Sequence, residues 1–440
     1  MNISTAEWQR KALHAGMGLF ALALRWLTWR QAALCALAAL LVNVFVLPRS
    51  RRRIYRDASR RWDVGIVAYP AAVLALILLF RDALDVVAVV WAMMAFGDPA
   101  ASIAGKLVAG PTLPWNREKT WTGLLTNWAV ALVSSILVLW FYVGSPPQPE
   151  VVAVLLCGSA LFAVLESVRS GLDDNLVAAL PTALAIEKLA SLQAPVWALL
   201  RGHVSSGPAL IALAVNVLVA GISWRLRVVS GSGAVAGAVV GFLILTLGSW
   251  PAYGLLWTFF LAGTFATRMG FARKKSAGTA EANQGRRRAA NVVANCAVPA
   301  AFLALGFPVV AFAGALAAAL ADTLGTEVGT LRGRRAFSPL TFAALPVGTP
   351  GAVSWAGSLA SLAGAALVAL AALLLKVTAP GALGLVAAGG FLGSLAESVL
   401  KDLGRRVGFS LDHDFANALN TFVGGLAAVW LGGVPRVIPR

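Results

Sequence analysis

Residues 307–329 read FPVVAFAGALAAALADTLGTEVG, and this stretch decides the fold. An apolar run from Phe307 to Ala321 carries no charge, a single acid, Asp322, follows it, and Gly329 comes seven residues later. A run of this kind approaches the length that a bilayer core requires. In lipid every backbone polar group is satisfied within its own segment, so the run reads as a helix. Similar runs recur at 31–47, 64–80, 83–97, 124–143, 151–166 and 177–200. They continue at 209–224, 233–249, 252–267, 289–305, 352–375, 380–396 and 415–432. The expectation is an all-α, polytopic helical bundle with about fourteen transmembrane helices.

Composition supports this reading. The 440 residues are 59% hydrophobic and 12% charged, against roughly 25% charged in a soluble domain. No alternating short strands of a barrel are visible. Arg25 breaks the run from Ala15 to Leu27, and no small-x-small site follows. Residues 1–30 are therefore read as an amphipathic or first transmembrane helix rather than a leader.

The net charge of +17 raises the possibility of nucleic acid, but basic loops beside anionic lipid explain it better. Threading the spans places most Lys and Arg in alternate loops, leaving Arg81, Arg201 and Lys376 opposite. By the positive-inside rule the basic loops are cytoplasmic, in the inner (plasma) membrane. Cys35, Cys157 and Cys296 lie in apolar runs, and His14, His203 and His413 are far apart in sequence, so neither a zinc site nor a disulfide framework is expected.

The chain repeats itself. Asp98…Gly105 corresponds to Asp322…Gly329. Lys119-Thr120-Trp121-Thr122-Gly123 corresponds to Gly348-Thr349-Pro350-Gly351. Glu166-Ser167-Val168 matches Glu397-Ser398-Val399, and Leu172-Asp173-Asp174-Asn175 matches Leu411-Asp412-His413-Asp414 with Asn417. The order is the same in both halves, which predicts two related domains, 31–200 and 209–440.

No GxxxxGK[ST] loop is present. Gly231, Gly233 and Gly237 open an apolar helix and read as packing residues rather than a dinucleotide fingerprint. Acids, cations and glycines at helix ends remain, a set suited to phosphoryl transfer, where positioning and charge dominate. Mg²⁺ needs carboxylates, while phosphates need Lys or Arg and close backbone approach. The candidate catalytic acids are Asp98, Glu166, Asp322 and Glu397. The candidate metal ligands are Asp98, Asp173, Asp174 and Asn175 in one half, and Asp322, Glu327, Asp412, Asp414, Asn417 and Asn420 in the other. The candidate phosphate-binding residues are Lys106, Arg117, Lys119, Thr120 and Gly123, then Lys275, Arg286, Arg287, Gly348, Thr349, Gly351 and Ser354. Structural readings compete. Asp98 before Pro99 fits a helix cap, as do Asp173, Asp174 and Asp414, and the cations fit lipid anchors. Glu166 and Glu397 resist this, because acids on apolar helices are costly near lipid.

At these residues the first half resembles the phytol kinase and dolichol kinase family, relatives of the phosphatidate cytidylyltransferases. The likeness spans roughly 45–185 and rests on Gly97-Asp98-Pro99 through Gly105 and on the Lys119-Thr120-x-x-Gly123 block. The second half resembles a sister family that includes phytyl-phosphate kinase, through Ser230-Gly231-Ser232-Gly233, Gly285-Arg286-Arg287-Arg288, Asp322 to Gly329, Gly348 to Ser354 and Asn417 to Asn420. The resemblance implies a fused pair of membrane isoprenoid kinases, Mg²⁺-dependent, with CTP or another NTP as donor. One would act on a prenyl alcohol such as phytol, farnesol or geranylgeraniol, the other on its monophosphate. Half two lacks the Lys-Thr-x-x-Gly block, so its phosphate grip is expected to come from the basic loop 268–288. The alternatives are a cytidylyltransferase making a CDP-lipid and a repeat-built transporter.

Overall fold

The computed structural model describes residues 5–47, 64–108, 110–190, 195–200, 206–270, 286–332 and 335–433. The chain divides into two units, residues 1–192 and 193–437. Among the described residues its regular structure is helical apart from one hairpin of two two-residue strands, and it is a polytopic helical membrane protein. Among the described residues eight helices are long and apolar enough to cross a membrane, and three shorter apolar helices accompany them.

Unit one opens with α1 (Thr5–Met17), α2 (Phe20–Ala23) and α3 (Trp29–Leu41), and then α4 (Val64–Leu79). The single helix expected within residues 1–30 is thus two short helices, divided by a turn at Gly18. Next come α5 (Leu84–Ala92), a π turn (Met93–Gly97) and α6 (Asp98–Leu107), forming one continuous helix. The sequence placed Asp98 at a helix end. Instead the helix runs through it, because the π turn absorbs the strain and Pro99 lacks the N–H that would need a partner. The backbone of Asp98 is helical and its side chain caps nothing, so the cap reading fails. Helices α7 (Trp121–Val143), α8 (Pro149–Ser167) and α9 (Asp174–Ala190) complete the unit. Residues Val86 to Ala95 are buried throughout, which makes α5 the helix around which its neighbours pack.

Unit two begins with α10 (Pro195–Leu200), so the expected span 177–200 is not one described helix; residues 191–194 lie outside the described set. Helices α11 (Ser206–Arg225), α12 (Gly231–Leu247), α13 (Trp250–Arg268) and α14 (Ala289–Ala304) follow. The central helix is α15 (Val309–Arg332), whose residues Ala311 to Ala321 are buried without exception. Around it pack α13, α14, α16 (Trp355–Leu374), α17 (Leu383–Val407) and α18 (His413–Leu431). Apolar burial drives little association in lipid, so close packing of small side chains does the work. A Cβ on Gly364 would lie 2.9 Å from the Leu320 carbonyl oxygen, and one on Gly390 would meet Ala317. The Ala- and Gly-rich sequence of α15 permits these approaches. Helices α15 and α17 also run on past Asp322 and Glu397, which the sequence placed at helix ends.

The helix starts that bear on the site are capped. Thr120 Oγ1 accepts from Gly123 N at 3.1 Å and starts α7, and Ser354 Oγ accepts from Gly357 N at 3.1 Å and starts α16. A Cβ on Gly105 would sit 3.8 Å from Gly123 Cα, and one on Gly329 would sit 3.4 Å from Gly357 Cα. The counterpart of Thr120–Gly123 is therefore Ser354–Gly357, a few residues beyond the Gly348–Gly351 match read from sequence. Both units cross the acid-bearing helix with the capped one at paired glycines.

Candidate functional site: two acid–lysine clusters and a cavity

In unit one the loop before α7 folds back on itself. Leu113 N donates to Lys119 O at 2.9 Å, and Lys119 N to Asn116 O at 3.1 Å. Buried Leu113 anchors the loop, which aims Lys119 at the end of α8. Lys119 Nζ donates to Glu166 Oε1 at 2.7 Å, to Asp174 Oδ2 at 2.8 Å and to the Glu166 carbonyl. Burial opposes the Lys119 charge, but Glu166 and Asp174 outweigh it and hold the ammonium above the usual lysine range. Buried Asn127 donates to Glu166 Oε2 at 3.2 Å. Asn116 and Trp115 tie the same loop to Ser167, at 3.0 Å to its carbonyl and 2.9 Å to its hydroxyl.

Asp98 has a partner that sequence reading missed. Lys11, 6% exposed on α1, reaches Asp98 Oδ2 at 3.2 Å, and His14 Nε2 lies 4.0 Å from the same oxygen. Lys119 and Glu166 lie within electrostatic range of Asp98, so the unit gathers Asp98, Lys119, Glu166 and Asp174. Lys11 and His14 fall three apart on one helix face, a signal lost among the other polar residues of that segment, Glu7, Gln9 and Arg10. Arg117 and Lys106 are exposed. Asp173 Oδ1 accepts from Asn175 N at 3.1 Å and from its side chain at 2.8 Å, so this pair shapes the start of α9.

In unit two a cavity of about 610 Å³ opens among α14 to α18 and the hairpin β1 (Ala336–Phe337)–β2 (Ala344–Leu345). Its acids are Asp322, Glu327 and Glu397, and its cations are Arg287, Arg288 and Lys401. Lys401 pairs with Glu397 one helical turn away, and both lie within electrostatic range of Asp322. Lys401 was not among the residues picked out from sequence, although Glu397-x-x-x-Lys401 is the i,i+4 spacing that pairs on a helix. It gives unit two the lysine that unit one draws from its Lys-Thr loop.

The roof of the cavity is the turn through Gly348, Thr349 and Gly351, followed by Ser354. Gly348 and Gly351 have φ of 88° and 80°, a left-handed backbone that glycine adopts without penalty. The Thr349 hydroxyl donates to Pro346 O at 2.8 Å and so belongs to the turn itself. Fully buried Asp402 ties α17 to the hairpin, accepting from Ser338 at 2.5 Å and from Arg406 at 3.3 Å, and its backbone N lies 2.4 Å from where a Cβ on Gly351 would sit. Sequence reading missed Asp402 too.

The expected metal set does not assemble as predicted. Among the described residues no three His, Cys, Asp or Glu side chains form a group able to hold a metal ion. Asp412 caps α18, accepting from Asp414 N at 3.0 Å. Asp414 lies within electrostatic range of Arg288, outside the cavity lining. Asn417 lines the cavity, whereas Asn420 donates to Ala318 O at 3.2 Å and packs against α15. Arg286 is half-buried and does not line the cavity. Lys275 falls outside the described residues.

This architecture is that of a polytopic helical membrane protein with an acid- and cation-lined cavity in its second unit. The profile of a family described as Integral membrane protein DUF92 matches residues 214–403, all within that unit. An uncharacterised membrane protein of Methanocaldococcus jannaschii is 31% identical over 212 residues, covering 46% of this chain and 85% of that protein. An uncharacterised membrane protein of Synechocystis is 32% identical over 222 residues, covering 46% and 81%. Protein VTE6, chloroplastic, of Arabidopsis thaliana is 29% identical over 262 residues, covering 55% and 74%. No solved structure matches the chain. The chain belongs to the DUF92 family of integral membrane proteins.

Proposed function

We propose that unit two transfers a phosphoryl group from a nucleoside triphosphate to a prenyl monophosphate, and that unit one phosphorylates the parent prenyl alcohol. The observation that carries this reading is the cavity of unit two, where Arg287, Arg288 and Lys401 face Asp322, Glu327 and Glu397 beneath a glycine-bearing turn. Cations and a bare backbone suit phosphate oxygens. The acids would repel phosphates unless a cation intervened.

One observation fits Mg²⁺ there. Glu397 Oε2 and Asn417 Oδ1 are buried acceptors without a donor, which a cation would satisfy. Mg²⁺ also takes only one or two protein carboxylates and completes its shell with phosphates and water. Asp322 and Glu397 would hold it, and it would offset phosphate charge. A terminal oxygen of the monophosphate attacks the γ-phosphorus, and the bond to the nucleoside diphosphate breaks, releasing that diphosphate. Arg287 and Arg288 hold the phosphates in line, while Lys401 restrains Glu397. The resemblance of each half to one kinase step supports the order of steps and CTP as donor. The basic loops support an inner-membrane protein whose motif loops are cytoplasmic.

The test supplies purified full-length protein with CTP, Mg²⁺ and geranylgeraniol. Monophosphate followed by diphosphate is expected. Absence of either product with CTP, ATP, GTP and UTP, across phytol, farnesol and geranylgeraniol, overturns the proposal.

A further inference from the structure

A second hollow adjoins the polar cavity and differs from it in chemistry. It is a narrow crevice of about 90 Å³ walled by α11, α12, α13 and α14, with Val219, Leu256, Trp257 and Phe260 among its lining. Arg287 and Asn291 line both hollows. One guanidinium therefore stands where an acid- and cation-lined space gives way to an apolar one. Arg287 is only 7% exposed, and its guanidinium carbon sits 5.4 Å from the Phe259 ring centroid.

Three glycines spaced four apart on α12 show which part of the wall is open. Gly233 is packed against the Arg287 backbone, and Gly241 against Asn216. Gly237, between them, would place a Cβ with nothing within 4 Å. The sequence suggests close helix packing at Gly233 and Gly237, but of these only Gly233 packs. The far end is closed by a buried hydrogen bond from the Tyr253 hydroxyl to Asn216 Oδ1, at 3.1 Å. From Gly233 to Gly241 the helix rises ~12 Å, so the crevice has an open mouth at Arg287, a clear middle at Gly237 and a polar floor at Tyr253.

We propose that this crevice takes the hydrocarbon chain of a polyprenyl monophosphate whose phosphate rests at Arg287 and Asn291, and that Gly237 sets how long a chain is accepted. The inference rests on the kinase reading of unit two for the identity of its ligand. Charge complementarity fixes the orientation, since the only cation on the crevice wall among the described residues lies at the mouth shared with the acid-bearing cavity. A single-chain phosphate monoester matches the combination of one buried cation and one narrow apolar slot.

The experiment uses full-length protein in nanodiscs and has two readouts. The first is phosphorylation of geranyl, farnesyl and geranylgeranyl monophosphates by wild type, Gly237→Phe and Val239→Phe. Val239 lies on the outward face of α12, 54% exposed. Gly237→Phe is expected to lower kcat/KM for the geranylgeranyl substrate roughly tenfold or more relative to the geranyl one, because it fills space the longer chain needs, while Val239→Phe leaves the ratio unchanged. An equal loss at every length, or the same change from Val239→Phe, overturns the proposal. The second readout is photocrosslinking by a geranylgeranyl monophosphate bearing a diazirine at its chain terminus, with no nucleotide present. Crosslinks to α12 or α13 that Gly237→Phe abolishes and unlabelled geranylgeranyl monophosphate competes away support the crevice even if wild type transfers no phosphate, in which case the kinase reading alone falls. Competition by phosphatidic acid but not by the prenyl phosphate, or crosslinks confined to other helices, overturns the crevice assignment even in an active enzyme.

Discussion

Lys119 Nζ lies 2.7 Å from Glu166 Oε1 although the two residues are 47 apart in sequence. The contact closes the loop before α7 onto the end of α8, and Glu166 is 5% exposed. Lys119→Met leaves that acid buried without its cation, a change that costs about 3 kcal/mol when one partner of a buried pair is removed. The low end of the usual range applies because the Lys119 side chain is 28% exposed. A clear fall in melting temperature in detergent is expected, and Glu166→Gln added to Lys119→Met should recover part of it. A double mutant as unstable as the sum of its singles would show that the pair is not coupled.

The same cluster sets an alkaline limit. The folded Lys119 pKa is raised, after burial is outweighed by Glu166 and Asp174. Its stabilising contribution is therefore complete below the unfolded lysine value of about 10.4 and is lost as pH climbs through the higher folded value. Between pH 7 and 9 the melting temperature of unit one should not respond to this group. Above pH 10 wild type should lose stability more steeply than Lys119→Met.

The two steps should separate by mutation. Asp98→Asn is expected to reduce alcohol phosphorylation roughly a hundredfold, the scale for losing one electrostatic group at a reacting centre, while leaving monophosphate phosphorylation intact. Asp322→Asn should do the reverse. Product analysis by thin-layer chromatography reads both, and loss of both steps from either change would refute separate sites.

Lys11 is buried against Asp98 at 3.2 Å. Lys11→Met should impair the first step with little effect on the second, with Lys11→Arg retaining more activity than Lys11→Met. A second step that falls in parallel would mean that α1 merely supports folding.

Helix packing positions the second site. Gly364→Leu places a branched chain where even a Cβ would lie 2.9 Å from the Leu320 carbonyl oxygen, two residues before Asp322. Overpacking of this kind costs roughly 1–3 kcal/mol. It should lower both thermal stability and the second step, whereas Leu359→Ala, on an exposed face of α16, should leave both near wild type.

How much of this was legible in the sequence follows from what each feature depends on. Apolar length announces a membrane helix directly, so most helices appear where the runs lie. Where an acid interrupts a run, the sequence cannot say whether the helix ends. Asp98, Asp322 and Glu397 were all read as ends, and all three sit within continuous helices. The acids stood out because charge is costly in lipid, and Lys119 through its Lys-Thr-x-x-Gly block. Lys11 and Lys401 did not, since Lys11 reaches Asp98 across 87 residues of chain and Lys401 reads as one basic residue among several at the end of its helix. Asn420 shows the converse, because it reads with Asn417 as a candidate metal ligand and its side chain instead bonds to Ala318 in the packing of α15.

The central claim is phosphoryl transfer in unit two, and its most direct test follows the nucleotide rather than the lipid. Purified full-length protein is given geranylgeranyl monophosphate, Mg²⁺ and CTP, and the nucleotide products are quantified. Equal amounts of CDP and geranylgeranyl diphosphate, lost together in Asp322→Asn, are the predicted result. Pyrophosphate release with a CDP-linked lipid, or no nucleotide turnover alongside movement of the prenyl phosphate across the bilayer, would contradict it.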